Sequence, residues 1–233
     1  MDMLTGLYIV SGFAIVPLVI YGLYARIKVS RLFEKYSKQP IKKGITGSHL
    51  ARTMLNSAGL NDVVVEEISG TLRDHFDPRQ NTVRLSRPVA RNSSIASIGI
   101  AAHEASHAIQ HGTGYPLAKL RSNIAPIVEK AGYFILPLLI LGLMLSSMQL
   151  SSLFINVALL LFLGIVVFYL VTLPVELEAS ARALRFIKEN NVADEKELEG
   201  VKKVLSAAAL TYVIALALSI VQFLNLLGIN RRR

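Results

Sequence analysis

Between Lys130 and Glu176 the chain carries no charged side chain. Such a run is long enough for two bilayer crossings of roughly 20 residues each. The polar stretch Ser146-Ser147-Met148-Gln149-Leu150-Ser151-Ser152 divides it and reads as a tight turn. One span then covers Ala131 to Leu145, slightly short and carrying Pro137, a kink that membranes tolerate; the other covers Leu153 to Leu173. Two more runs reach spanning length, Leu4 to Tyr24 and about Leu205 to Ile229. In the last, Gln222 and Asn225 are placed to bond across helices. The first run lacks a basic leader and a small-residue cleavage site before Arg26, so it reads as an anchor and not as a removed signal peptide. Buried helices of a soluble all-α protein are the plainer alternative, but long charge-free runs rarely recur in soluble cores.

A net charge of +9 raises the question of nucleic acid. The basic residues sit beside the apolar runs, at Arg26, Lys28, Arg31, Lys35, Lys38, Lys42 and Lys43, and again at Arg231 to Arg233. Juxtamembrane placement accounts for them, and no nucleic-acid motif accompanies them. The expected partners are a lipid bilayer and a protein or peptide substrate, membrane proteins included, with no nucleic acid. The chain has no cysteine, so a metal site must be built from histidine and carboxylate.

Two polar segments remain, residues 25 to 130 and 174 to 204. Thr46 and Ser48 are candidate N-caps for a helix through Leu55, with Gly59 as its stop. Val63-Val64-Val65 with Ile68, then Thr82-Val83-Arg84-Leu85-Ser86, joined through Asp77-Pro78-Arg79-Gln80-Asn81, predict a short sheet of two or three strands. Ser93 or Ser94 caps the next helix, which stops at Gly112-Thr113-Gly114-Tyr115-Pro116. Pro174 is suited to the first turn of a helix ending near Glu189. Asp194 opens an acidic start to a helix that continues into the fourth span.

The capped helix holds His103-Glu104-Ala105-Ser106-His107, an H-E-x-x-H. Two imidazoles four positions apart share a helix face and can grip one zinc ion, while the adjacent Glu104 can take a proton from a water held there. A catalytic zinc takes three protein ligands, so a third is required. His111 lies about 12 Å along the axis from His103, too far for one ion to bridge. The metzincin pattern is also absent, with Gln110 and Thr113 where it needs glycine and histidine. Glu176 is the best-placed carboxylate. Ala179, Ser180 and Ala183 on its face allow close approach to the histidine helix. Glu178 lies about 200° round the helix and faces elsewhere, toward Arg182 at i+4. An interfacial carboxylate at a membrane exit is the plainer reading of Glu176.

H-E-x-x-H followed, past a membrane hairpin, by E-x-x-A-S resembles the gluzincin metallopeptidases, whose membrane branch of the HtpX and CAAX-protease type carries E-x-x-A-D. Asp74-His75-Phe76-Asp77-Pro78, Val83-Arg84-Leu85-Ser86, His103 to Gln110 and Pro174-Val175-Glu176 together resemble the bacterial membrane zinc metallopeptidase family of the YugP type, over almost the whole chain. The resemblance implies a zinc-dependent, membrane-embedded peptidase. Ser180 stands where the HtpX pattern has aspartate, leaving the outer support of the histidines unassigned. His75, near a predicted strand end, could polarise the scissile carbonyl or hydrogen-bond the oxyanion, and such a strand could pair with an extended substrate. Equally, Asp74, His75 and Asp77 could serve to stabilise a turn.

The expected protein is a mainly α membrane protein, with four transmembrane helices and a small α+β zincin-like catalytic domain. Its parts are an anchor (1–24), a catalytic domain (25–130), a transmembrane hairpin (131–173), a helix carrying the third ligand (174–204), a transmembrane helix (205–229) and a basic tail (230–233). Its expected function is peptide hydrolysis with Zn2+ on His103, His107 and Glu176, Glu104 as general base and His75 as a further catalytic candidate. A non-enzymatic zinc-binding scaffold and a site-2-type intramembrane protease are the rival classes. For the second, the apolar run Ile95 to Ala102 is too short to span. The basic cluster after the first span puts both polar segments on the cytoplasmic side of the cell membrane. The Arg231 to Arg233 run then falls outside, against the same rule.

Overall fold

The structure is a computed structural model that describes residues 3–145 and 150–231, with side chains over 10–145 and 150–228. The described elements are α1 (Met3–Ser37), α2 (Gly47–Ser57), β1 (Val64–Ile68), β2 (His75–Asp77), β3 (Thr82–Ser86), α3 (Arg87–Arg91), α4 (Ile95–Gly112), α5 (Pro116–Met144), α6 (Leu150–Glu189) and α7 (Glu195–Arg231). Among the described residues, α1, α5, α6 and α7 are long and apolar enough to cross a membrane.

All four helices outrun their apolar segments. α5 already begins at Pro116, so the expected boundary at residue 130 falls inside a helix. α6 runs without a break through Pro174, which corrects the expected helix start at that proline. A proline fits a first turn or a tolerated interior position equally well from sequence. Here Val175, Glu176 and Ala179 just beyond it are buried, and their packing holds the helix across the hydrogen bond that proline cannot donate. Ser146 to Gln149 of the expected turn lie outside the described residues, and Leu150 to Ser152 already belong to α6.

The chain forms two compact units. One comprises Met1–Tyr24, Leu120–Leu173 and Thr211–Arg233; the other comprises Ala25–Lys119 and Pro174–Leu210. Within the first, Ser151 Oγ donates to the Gly142 carbonyl at 2.6 Å, tying α5 to α6. Asn225 Nδ2 reaches Ser11 Oγ at 3.4 Å, the expected cross-helix bond, here between α7 and α1.

The second unit is a small α/β layer. Its sheet has the order β1-β3-β2, with β1 parallel and β2 antiparallel to β3. The Pro78-to-Asn81 link therefore closes a β2–β3 hairpin. Val83 and Leu85 of the central strand are fully buried with Leu50, Met54 and Leu55 of α2 and Ile98, Ala101 and Ala105 of α4. Each large side chain so buried contributes on the order of 1.5–3 kcal/mol. The cap residues act locally. Thr46 accepts the His49 N–H at 3.4 Å, Ser94 accepts the Ser97 N–H at 3.2 Å, and Gly59 at φ +75 ends the α2 turn in a conformation that disfavours other residues. Gly99 lets α4 meet α7 closely, since a Cβ there would stand 3.0 Å from Val201.

α7 opens with a reciprocal cap. Asp194 accepts the Glu197 N–H at 2.9 Å, and Glu197 accepts the Asp194 N–H at 2.7 Å. The other Glu197 oxygen accepts the Lys42 N–H at 2.8 Å, so one buried carboxylate fixes both the helix start and the loop after α1. Glu197→Ala is expected to destabilise this unit by about 2 kcal/mol, read as a lowered melting temperature in detergent. Glu199→Ala, which loses an exposed i,i+4 contact with Lys203, should change it little. Equal melting of the two variants would refute a structural role for the Glu197 carboxylate.

Candidate metal centre

α4 turns one face toward the first turns of α6 beyond Pro174, and both rings of the H-E-x-x-H lie on that face. His103 Nε2 is 3.2 Å from His107 Nε2 and 3.2 Å from Glu176 Oε2. His107 Nε2 is 3.6 Å from Glu176 Oε1. The Glu176 residue is 3% exposed, and the two imidazoles 13% and 12%. Among the described residues, His103, His107 and Glu176 form the group able to hold a metal ion, one donor atom from each lying within 4.8 Å of the others.

The outer nitrogens of both rings are engaged. His103 Nδ1 is 3.2 Å from Ser180 Oγ, and His107 Nδ1 is 3.0 Å from Gln110 Oε1. Gln110 is fully buried and its amide nitrogen donates to the Val175 carbonyl at 2.9 Å and to the Glu178 carboxylate. Arg182 in turn donates to Glu178 at 2.6 Å. Glu178 thus meets Arg182 as expected, but it does not face away from the histidine helix: its carboxylate is long enough to reach round to Gln110 of α4, which corrects that expectation.

A zinc ion fits this donor set. Tetrahedral coordination with bonds of about 2.0–2.1 Å places neighbouring donors about 3.3 Å apart. The separations of 3.2, 3.2 and 3.6 Å are edges of that size. With His107 Nδ1 donating to Gln110, its Nε2 presents a lone pair toward a second imidazole nitrogen and a carboxylate.

Glu104 is half-buried, one residue after His103 and about 100° round the helix from it. His75 is not brought to the three donors. Strand pairing sets His75 opposite Arg84 and Phe76 opposite the buried Val83, so His75 lies on the outer face of the sheet. It is exposed there, its Nδ1 donating to the Arg73 carbonyl at 2.8 Å. His111, in the last turn of α4, rests its ring against Phe76 with centroids 5.8 Å apart.

The residues flanking His75 hold the strands. Asp74 accepts the Ser86 N–H at 2.7 Å and the Ser86 hydroxyl at 2.9 Å, and burial pushes its carboxyl above the ordinary value. Asp77 accepts from Arg84 at 2.8 Å, and that guanidinium holds its carboxyl low. Sequence reasoning missed Gln110 as a partner of His107 and Ser180 as a partner of His103. A signal for each existed in the spacing, three residues after His107 and four after Glu176, on the faces already assigned.

Residues 11–231 match a family profile described as "Putative neutral zinc metallopeptidase". A protein of Bacillus subtilis (strain 168), named "Putative membrane protease YugP", is 45% identical over 203 residues, covering 87% of this chain and 88% of its own length. No solved structure matches the chain. With residues 11–231 matched and a relative 45% identical over most of both chains, the chain belongs to the family described as "Putative neutral zinc metallopeptidase".

Proposed function

We propose that the protein is a membrane-embedded, zinc-dependent endopeptidase with a zincin-like catalytic unit. The observation that carries this reading is the trio of donors at tetrahedral separations, two of them on the helix that also bears Glu104 and the third on α6. His103, His107 and Glu176 would hold the ion. Zinc in that place supplies a Lewis acid for the scissile carbonyl and lowers the pKa of a water toward neutral. Glu104 accepts the proton of the attacking water and delivers it to the leaving amine. Ser180 and Gln110 keep the two imidazoles in register. β2 is an edge strand, and its unpaired side suits an extended peptide added antiparallel or parallel to it. The position of His75 on the outer sheet face favours a structural role over contact with the oxyanion.

Removing zinc with a chelator from detergent-solubilised protein should abolish cleavage of unstructured protein substrates, and added zinc should restore it. Cleavage that persists through chelation would sink the proposal. The motif helix α4 spans 18 residues and is not among the four candidate spans, which argues against a site-2-type arrangement.

The catalytic unit is proposed to face the cytoplasm, on the strength of the basic cluster that follows the first span. The absence of native cysteine makes single-cysteine labelling clean. In intact cells Gln149→Cys should react with an impermeant thiol reagent, whereas Asn61→Cys should be protected until the membrane is opened. The reverse pattern would put the peptidase outside.

A further inference from the structure

His107 reaches Glu178 through one side chain. Its Nδ1 faces Gln110 Oε1 at 3.0 Å, and Gln110 Nε2 donates both to the Val175 carbonyl at 2.9 Å and to a Glu178 oxygen. The other Glu178 oxygen accepts from Arg182 at 2.6 Å. Polarity along this chain runs one way. A backbone carbonyl accepts and never donates, and an ionised carboxylate does the same. Both stand at the nitrogen end of the Gln110 amide, so a reversed amide would set its oxygen against two acceptors. The oxygen end must therefore face His107, and the facing Nδ1 must carry the ring proton.

From this we infer that Glu178, acting with the Val175 carbonyl through Gln110, is a positioning residue that helps fix which imidazole nitrogen of His107 is offered to the metal. The inference rests on the proposed metal centre and deepens it. Glu178 touches neither a ligand nor the place of the ion. Arg182 contributes by holding the carboxylate aimed at the amide. Replacing Glu178 by glutamine sets the two partners of the Gln110 amide against each other. The new amide presents its oxygen to Arg182 and its NH2 to Gln110, which can accept it only by turning its own oxygen toward the Val175 carbonyl as well. A flipped Gln110 directs N–H groups at His107 Nδ1, stabilising the tautomer whose Nε2 carries hydrogen and cannot ligate. His103 has a different arrangement, because the Ser180 hydroxyl can donate or accept. Control of tautomer by a fixed polar chain is thus specific to His107.

The test measures zinc affinity of the full-length protein in detergent by competition with a chromophoric chelator, beside the visible absorption of the Co2+-loaded protein. Gln110→Met keeps the side-chain length and removes the acceptor; it should weaken zinc binding about 10–100-fold. Glu178→Gln should weaken it about tenfold, with thermal unfolding of the metal-free protein unchanged. Glu178→Ala removes the carboxylate without offering a donor, so the Val175 carbonyl still holds the Gln110 amide in place. Its loss of zinc affinity should be clearly smaller than that of Glu178→Gln, with the wild-type Co2+ spectrum kept. Gln110→Met or Glu178→Gln binding zinc like wild type would overturn the inference. So would Glu178→Ala binding as weakly as Glu178→Gln. Failure of the underlying centre looks different: wild type that takes up no zinc, or takes it up as well after Glu176→Ala, removes the metal site itself and this inference with it.

Discussion

Glu104→Gln is expected to keep its zinc and to lose hydrolysis by about 10²–10⁴-fold, the range spanned by removal of a general base. The substitution alters one atom of a half-buried side chain and leaves its volume in place. His103, His107 and Glu176 are untouched, and so are Ser180 and Gln110 behind them. The amide can still hydrogen-bond a water but cannot take its proton at neutral pH. Metal analysis and turnover on the same preparation separate the two properties. Near-wild-type turnover by the zinc-loaded variant would reject Glu104 as the base. Loss of zinc together with activity would show that Glu104 supports the centre and is no pure proton carrier. Comparative proteomics of membranes bearing wild type or Glu104→Gln would then expose physiological substrates, because both proteins are present and one cannot cut.

Glu176→Ala should cost more zinc affinity than any other single change away from the histidines, above about 100-fold and so beyond the 10–100-fold typical of an outer partner. The carboxylate supplies the one anionic donor, held 3.2 Å from His103 Nε2 and almost fully buried. Without it two imidazoles remain, short of the three ligands a catalytic zinc requires. Glu176→Asp keeps the charge on a shorter arm and should lie between alanine and wild type. Competition titrations of these two with Glu178→Ala order the acidic residues of α6. If Glu178→Ala strips the metal and Glu176→Ala retains it, the ligand assignment is wrong.

Features that depend on a few adjacent residues were readable from the sequence. Thr46, Ser94 and Asp194 cap the helices whose starts they predict, because a cap needs only its own side chain and an N–H three residues on. The apolar spans were readable for the same reason, as composition acts along one helix. Their ends were not. Helical hydrogen bonding continues past the last apolar residue when the next face is packed, and so α6 passes Pro174 and α5 begins at Pro116. β2, with three residues, and α3, with five, are too short to leave a periodic pattern.

The three metal-site candidates could be chosen because H-E-x-x-H fixes two donors on one face and leaves few carboxylates for the third. Gln110 and Ser180 were harder to assign: Ser180 and His103 are on different helices, 77 positions apart, and Gln110 is aimed at its neighbour His107 by Val175 and Glu178 of α6. His75 is a different case. Its neighbours form a compact polar motif in sequence, but strand alternation turns Phe76 toward α4 and sends His75 to the other face.

The ligands arrive on the chain in a fixed order, and that order bears on biosynthesis. His103 leaves the ribosome 73 residues before Glu176, and the apolar lengths of α5 and α6 lie between them. At about 5–20 residues per second, the nascent chain spends seconds with two imidazoles and no third donor. Under the proposed ligand set, a polypeptide that stalls or is truncated before Pro174 cannot complete the centre. Competence to hold the metal is thereby delayed until both apolar lengths have been synthesised.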